Sequence, residues 1–216
     1  MDNSLMFSSA NQAWATRWEC YYQICDEFNN GKYFNLDPCA EDTTAKCDYF
    51  FTKEQDMFSV PNWNRRLFNT DKLRWYKPIN VFMNPEYGRA QPKFIEKCIE
   101  QVKIGAVEKA AILIPARTDT KMFHNTILNN AESVTFYEGR LVFGSDEYWE
   151  FVWSQEYMDL INPNKKGQKN ELFGKVGKFN AAPFPSMVVI VTQDSIRNAQ
   201  SPIIKTLKAP KFKYEV

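Results

Sequence analysis

The chain has 216 residues, 44% of them hydrophobic, and its 27 basic and 26 acidic side chains leave a net charge of +1. This length and apolar fraction predict a single domain, 1–216, with a substantial core. The charge balance excludes a global basic field, so any contact with nucleic acid must come from a local patch.

The first half of the chain alternates helical and strand-like patterns. Apolar residues recur at helical spacing after Trp14 until Asn29-Asn30-Gly31 ends the helix. Pro92 stands where the first turn of a second helix begins. The predicted elements are, in order, a helix over 14–28, a short strand over 33–36, an apolar piece at 49–51 within an irregular segment, a strand over 79–83 and a helix from Pro92 to Val102.

The second half opens with a continuous apolar run over 109–115, which is typical of a strand buried on both faces of a parallel sheet. Asp119 is a candidate cap for the helix that follows. A long insertion, 145–180, is rich in aromatic residues and then in lysine, and 194–216 reads as a polar basic tail. Strand and helix signals alternate, which predicts an α/β sheet with helices on both faces. The remaining predicted strands are 134–137, 141–143 and 187–191.

The stretch Asn84-Pro85-Glu86-Tyr87 follows the predicted strand 79–83 directly. Proline after asparagine stops the strand and turns the chain. The Asn84 side-chain oxygen and the Pro85 carbonyl can accept hydrogen bonds from an amino group on a flat ring, on which Tyr87 can stack. Taken alone, the tetrapeptide is equally typical of a strand that ends in an ordinary Asn-Pro turn.

Two other strand ends carry residues that could contact a ligand. Asp37 ends the first predicted strand, and Pro115 ends the strand that follows 79–83. In open α/β sheets ligands bind outside the carboxyl ends of the strands. We therefore expect Asp37, Asn84 and Pro115 to lie along one edge of the sheet.

The cysteines and the start of the chain indicate a compartment. The five cysteines are odd in number and form no Cys-x-x-Cys pair, which disfavours a disulfide framework and a zinc site. Reduced thiols fit a cytoplasmic protein best. The polar start after Met1 does not read as a signal peptide, and no stretch reaches the length of a membrane span. We expect a cytoplasmic protein with no membrane contact and no metal.

Seven pieces of the chain, in this order, resemble the motifs of the phage-type DNA N6-adenine methyltransferases, the Dam-like family. Each piece is weak alone, and their order carries the resemblance. They are Trp14-Ala15-Thr16; Leu36-Asp37-Pro38-Cys39-Ala40 with Ala45-Lys46-Cys47; Phe51-Thr52 with Asp56 and Trp63; Phe82-Met83-Asn84-Pro85-Glu86-Tyr87; Leu113-Ile114-Pro115-Ala116 with Thr118-Asp119-Thr120; Gly139-Arg140-Leu141-Val142-Phe143; and Asn180-Ala181-Ala182-Pro183-Phe184-Pro185-Ser186.

The resemblance implies a Rossmann-like class I S-adenosylmethionine-dependent methyltransferase, with a mostly parallel, doubly wound sheet and an antiparallel C-terminal strand. The catalytic core would span 13–193. The implied reaction moves a methyl group from S-adenosylmethionine to the exocyclic N6 of adenine in DNA, by base flipping and direct in-line transfer. The implied setting is a phage or a restriction-modification system, in the cytoplasm of a bacterial host.

The same resemblance assigns roles to individual residues. The implied catalytic residues are Asn84, Pro85, Glu86 and Tyr87. The implied cofactor-binding residues are Trp14, Thr16, Asp37, Pro38, Cys39, Ala40, Asp56 and Asn84. Simpler interpretations stay open for several of them: Asp37 as a turn or helix cap, Thr16 as a helix cap, Asp56 as a solvated loop acid and Cys39 as a small packing residue.

Candidate DNA contacts fall mainly in the insertion 145–180, where lysines and amides could bind phosphates and read adenine. A solvated loop is the alternative for this segment. The candidates are Lys165, Lys166 and Lys169, together with Arg117 and Arg140 near the expected catalytic edge.

The chain departs from the family pattern at two points, where Arg17 and Glu86 stand in place of proline. The loop at Asp37 also lacks the Gly-x-Gly of many S-adenosylmethionine sites, but the resembled family often lacks it too. A carboxylate at position 86 could repel phosphate. Two alternatives therefore stay open: a catalytically weak or inactive methyltransferase-like DNA-binding protein, and an enzyme that methylates cytosine N4. The single histidine, His124, is read as a packed or surface residue, which disfavours a hydrolytic triad.

Overall fold

The computed structural model describes residues 15–68, 79–144 and 182–210, and these residues are built around one sheet. The strands are β1 (Leu36–Asp37), β2 (Tyr49–Phe50), β3 (Ile79–Met83), β4 (Val107–Pro115), β5 (Ser133–Glu138), β6 (Ser186–Thr192) and β7 (Ile203–Lys208). The helices are α1 (Trp18–Phe28), α2 (Trp63–Phe68), α3 (Gln91–Lys103), a π-helix (Met122–Ile127) that continues into α4 (Leu128–Asn130), and α5 (Gln193–Asn198).

The seven strands described form a mixed sheet in the order β2-β1-β3-β4-β6-β5-β7. The pairs β1–β2, β1–β3, β3–β4 and β5–β7 are parallel. Strand β6 runs antiparallel to both of its neighbours, β4 and β5. The predicted fold class, a mostly parallel α/β sheet with an antiparallel strand near the C-terminus, is confirmed.

Both faces of the sheet are covered. On β3, Ile79, Val81 and Met83 join one buried cluster, to which α3 contributes Ile95 and three further residues. The neighbouring Phe82 lies in the other cluster, which includes the buried residues of α1. Alternation of side chains along a strand thus divides the core into two layers. Full burial of such a side chain contributes about 1.5–3 kcal/mol.

All five cysteines are free thiols, and they are divided between the two layers. Cys98 belongs to the layer under α3. Cys20, Cys25 and Cys47 belong to the layer under α1. Cys39 is less buried and packs against the α3 layer.

The segment that reads as a polar basic tail contains two regular elements. Helix α5 begins with a capping box, in which Thr192 accepts a hydrogen bond from the Ser195 amide at 3.1 Å. Strand β7 then pairs with β5 at the edge of the sheet. The interpretation of 194–216 as a tail is therefore wrong for the described residues of this segment.

Other boundaries differ locally from the sequence prediction. Helix α1 begins at Trp18, and its cap residue Arg17 is buried with a guanidinium nitrogen 3.2 Å from Glu19. After β4, the Thr120 hydroxyl accepts from the Phe123 amide at 3.2 Å, a capping role that the sequence suggested for Asp119. Residues 141–143 form no regular strand; Phe143 makes an isolated antiparallel bridge to Thr16.

No helix among the described residues is long and apolar enough to cross a membrane.

Candidate active site

Parallel pairing brings three strand ends to one edge of the sheet. β3 lies between β1 and β4, with Leu36 in register with Val81 and Met83 in register with Ile112. Asp37, Asn84 and Pro115 therefore stand at the carboxyl ends of three adjacent strands, as the sequence predicts.

Two hydroxyl groups hold the Asn84 side chain. Its Nδ2 donates to the Thr16 Oγ1 at 3.0 Å. Its Oδ1 accepts from the Tyr87 hydroxyl at 2.8 Å. A carbonyl oxygen has two lone pairs, so Oδ1 can accept more than one hydrogen bond.

The Tyr87 ring lies among aromatic neighbours at this edge. Phe143 and Phe184 are roughly perpendicular to it, with ring centroids 6.3 Å and 5.3 Å away. Burial raises the pKa of the Tyr87 phenol, so the hydroxyl keeps its proton and remains a donor. Both phenylalanines fall in motif pieces that flank the 145–180 insertion. No other feature of the sequence indicated that they contact Tyr87.

Thr16 is fixed in place by backbone pairing. It is 5% exposed and forms the isolated bridge with Phe143. Next to it, the Gly144 amide donates to the Ala15 carbonyl at 2.8 Å. Arg17 is the cap residue of α1 and provides no side-chain cap, so Thr16 does not cap the helix. Its contact with a cofactor stays a prediction.

Asp37 is a buried carboxyl at the end of β1. It is 4% exposed, and its Oδ1 accepts from the Cys39 amide at 3.2 Å in a local turn. Burial raises the pKa of Asp37 to about 7, against the opposing effects of backbone hydrogen bonds from Cys39 and Lys46 and of the Lys46 charge. The turn-cap interpretation is thus correct for the local contact, and a ligand role stays a prediction.

Lys46 lies near Asp37. It falls in a motif piece of the sequence, but the sequence analysis assigned it no function. Its ammonium nitrogen lies 4.6 Å from the centre of the Trp18 ring and donates to the Thr44 carbonyl at 2.9 Å. The lysine is 8% exposed, so its charge acts on Asp37 from within the protein.

The residues after Asp37 form the wall of this strand end. Pro38 and Ala40 are buried. The Cys39 sulfur lies 3.4 Å from the Met57 sulfur, and burial raises the pKa of the Cys39 thiol well above its usual value. A protonated, packed thiol agrees with the interpretation of Cys39 as a packing residue.

Asp56 lies in an exposed turn. It has a positive φ of 41°, and its Oδ1 accepts from the Phe58 amide at 3.1 Å. The side chain has a local structural partner, and its contact with cofactor ribose stays a prediction.

Glu86 has a charged partner. Its Oε1 lies 3.0 Å from the Lys53 ammonium, in a pair whose side chains are 39% and 59% exposed. The hydrogen bond and charge of Glu86 raise the pKa of Lys53. The ion pair joins the turn after β3 to the loop after β2.

The candidate DNA contacts are only partly described. Arg117 is half-buried two residues beyond β4, and Arg140 is exposed beyond the end of β5. Trp14 and the lysines Lys165, Lys166 and Lys169 lie outside the described residues. Within the described ranges, no group of three histidine, cysteine or acidic side chains could hold a metal ion.

The sheet has one reversed strand near its C-terminal end and an Asn-Pro-x-Tyr turn at the end of a central strand, which agrees with an α/β methyltransferase fold. The model of the family "DNA N-6-adenine-methyltransferase (Dam)" matches residues 3–190, and the chain belongs to this family. No curated protein and no solved structure matches the chain.

Proposed function

We propose that the protein transfers a methyl group from S-adenosylmethionine to N6 of adenine in DNA, by flipping the base and transferring the methyl in line. Membership in the adenine methyltransferase family supports the reaction class. The observation that carries the proposal is the orientation of Asn84, whose Oδ1 lies on the Tyr87 side while Nδ2 is held by Thr16.

Adenine N6 is a weak nucleophile because its lone pair is delocalised into the ring. The Asn84 Oδ1 and the Pro85 carbonyl would each accept one N–H bond of the amino group and favour a more pyramidal nitrogen. Holding two reactants in such a geometry can contribute roughly 7–11 kcal/mol to lowering the barrier. The nitrogen forms a bond to the methyl carbon as the sulfur–carbon bond breaks, and the surplus N6 proton then leaves to solvent.

S-adenosylmethionine, when bound, supplies a methyl group activated by a positive sulfonium. The residues at the end of β1 fit such a ligand. Asp37 is a buried carboxyl with a raised pKa, and donors from a ligand, such as an ammonium group or ribose hydroxyls, would favour its charged form. Pro38, Cys39 and Ala40 would line the same site, with Asp56 and Trp14 as further proposed contacts.

The target base must leave the duplex, which costs a few kcal/mol. Stacking on the Tyr87 ring would return about 1–3 kcal/mol of this. Arg117, Arg140 and the insertion lysines Lys165, Lys166 and Lys169 are proposed to hold the DNA backbone. The proposed setting is the cytoplasm of a bacterial host, which agrees with five free thiols.

The pairing of Glu86 favours an active enzyme over an inactive DNA-binding relative. A lone carboxylate in the catalytic turn would repel phosphate, whereas the Lys53 ammonium at 3.0 Å compensates its charge. The ion pair also connects the turn to a second loop. This connection offsets part of the loss of stiffness that results from the absence of the family's second proline.

The experiment incubates the purified protein and methyl-labelled S-adenosylmethionine with plasmid DNA, followed by digestion to nucleosides. We expect the label in N6-methyldeoxyadenosine, and its loss in a folded Asn84→Ala variant. Label in N4-methyldeoxycytidine would show that cytosine, and not adenine, is the substrate. Binding of DNA without any labelled nucleoside would favour the inactive relative, and normal turnover in Asn84→Ala would remove the proposed site.

A further inference from the structure

The side-chain amide of Asn84 has two chemically different ends, and the reaction needs only one of them. An oxygen acceptor toward the target base can bind the N6 amino group. An amide rotated by 180° would present N–H donors to a group that is itself a donor. The orientation of this amide therefore decides whether the turn can bind an amino-bearing base at all.

Thr16 is the residue that contacts the nitrogen end of this amide. Its hydroxyl oxygen accepts from Nδ2 at 3.0 Å, on the side of the amide away from the Tyr87 hydroxyl. Thr16 is buried and is anchored through the Phe143 bridge, and the Gly144–Ala15 hydrogen bond of 2.8 Å lies beside it. Its position is thus set by a segment of the chain other than β3.

We propose that Thr16 is a positioning residue for methyl transfer, which holds the Asn84 side chain in place at the end of β3. The inference rests on the proposed function and assigns Thr16 a part in it that differs from the cofactor contact suggested by the sequence. Loss of a neutral hydrogen bond costs about 0.5–1.5 kcal/mol, which is enough to let the Asn84 side chain leave this position.

The test compares Thr16→Val, which removes the acceptor at nearly the same volume, with Thr16→Ser, which keeps a hydroxyl. We expect Thr16→Val to lower kcat at saturating cofactor and DNA by roughly 2- to 12-fold, the equivalent of about 0.5–1.5 kcal/mol. The KM for S-adenosylmethionine and the Kd for DNA should stay within about twofold, which is less than 0.5 kcal/mol. Thr16→Ser should restore most of kcat.

Two kinetic outcomes would overturn the inference. A higher KM for S-adenosylmethionine with unchanged kcat in Thr16→Val would assign Thr16 to the cofactor. Equal kcat in the valine and serine variants would show that the hydroxyl has no part in the reaction.

A second measurement keeps the inference separate from the proposed function. In 15N-labelled protein, the Asn84 side-chain amide signals should move in Thr16→Val and stay close to wild type in Thr16→Ser. If the wild type transfers no methyl group, the proposed function fails, and these signals alone test whether Thr16 holds Asn84. Unchanged amide signals in Thr16→Val would overturn the inference whatever the activity.

Discussion

Tyr87 has two separable properties, a hydroxyl that contacts Asn84 at 2.8 Å and a ring beside Phe143 and Phe184. Tyr87→Phe removes only the hydroxyl. We expect kcat to fall roughly 2- to 12-fold, because a neutral hydrogen bond contributes about 0.5–1.5 kcal/mol. In Tyr87→Ala, kcat should fall by roughly a further 5- to 150-fold, because about 1–3 kcal/mol of stacking is lost as well. Steady-state kinetics on duplex DNA measure both, and equal loss in the two variants would deny the ring a role.

Asp37 should make stability depend on pH. Its pKa is raised from 3.8 to about 7, so the folded protein holds a proton that the unfolded chain releases between these values. Stability should therefore fall as pH rises from about 4 to about 7, by on the order of 4 kcal/mol at 1.36 kcal/mol per pKa unit. Asp37→Asn removes this cost. In thermal melts without cofactor, the variant should exceed wild type above pH 7, and the difference should shrink toward pH 4.

The same carboxyl should show the opposite trend in cofactor binding. If its charged form holds S-adenosylmethionine, wild-type affinity should weaken as pH falls below about 7, the folded pKa. Asp37→Asn should bind weakly at every pH. Calorimetric titrations at several pH values provide the measurement, and an identical pH profile in both proteins would leave Asp37 as a turn cap only.

Residue types and their order predicted a turn at 84–87 at the end of a strand, yet they could not predict the contacts of this turn. The position of Asn84 and Tyr87 at a strand end could be predicted because a proline stops the strand 79–83. The bond from Asn84 to Thr16 spans 68 positions of sequence, and the partner of Glu86 is a lysine in another loop. Such pairings depend on how the loops fold back on the sheet, and no local pattern encodes them.

At the scale of elements, the Lys53–Glu86 pair links two loops at the site. The pair is half-exposed, so it should contribute only about 0–1 kcal/mol to stability. Its larger effect should be on substrate: Lys53→Met leaves a carboxylate beside the DNA path and should raise the KM for DNA. The double variant Lys53→Met/Glu86→Gln should recover, and Glu86→Gln alone should resemble wild type. A double variant as impaired as Lys53→Met would assign the effect to Lys53 itself.

Element prediction from sequence was accurate where burial is complete. β4 and β6 are buried along almost their whole lengths and are encoded by continuous apolar runs. β7 was missed because all its residues but one are exposed at the sheet edge, so its sequence shows no buried face. β1 and β2 have two residues each, too few for a period to show.

At the scale of the whole molecule, the far edge of the sheet offers control lysines for the DNA-binding prediction. Lys165, Lys166 and Lys169 lie outside the described residues, in the part of the sequence that follows Gly144. Lys205 and Lys208 lie on β7, four strands away from β3. Their distance from the site makes the β7 pair a matched control.

Neutralising Lys165, Lys166 and Lys169 to glutamine should weaken DNA binding for all sequences alike. The slope of log affinity against log salt should flatten by about 0.9 for each phosphate that is no longer neutralised. The Lys205→Gln/Lys208→Gln variant should change neither quantity beyond a small non-specific loss. Fluorescence anisotropy over a range of salt concentrations measures the slopes. An unchanged slope in the triple variant would place phosphate recognition elsewhere.

Because the five thiols are divided between two core layers, their rates of alkylation can show which layer opens to solvent. Cys98 lies on the buried face of α3, and Cys20 and Cys25 lie on the buried face of α1, where Cys47 joins the same cluster. Burial raises the pKa of all four thiols. A protonated, enclosed thiol reacts with an alkylating agent only when its layer opens. Mass spectrometry after increasing times of alkylation should thus measure how fast the core opens on each side of the sheet. Cys39, the least enclosed, should react first, and S-adenosylmethionine should slow it most.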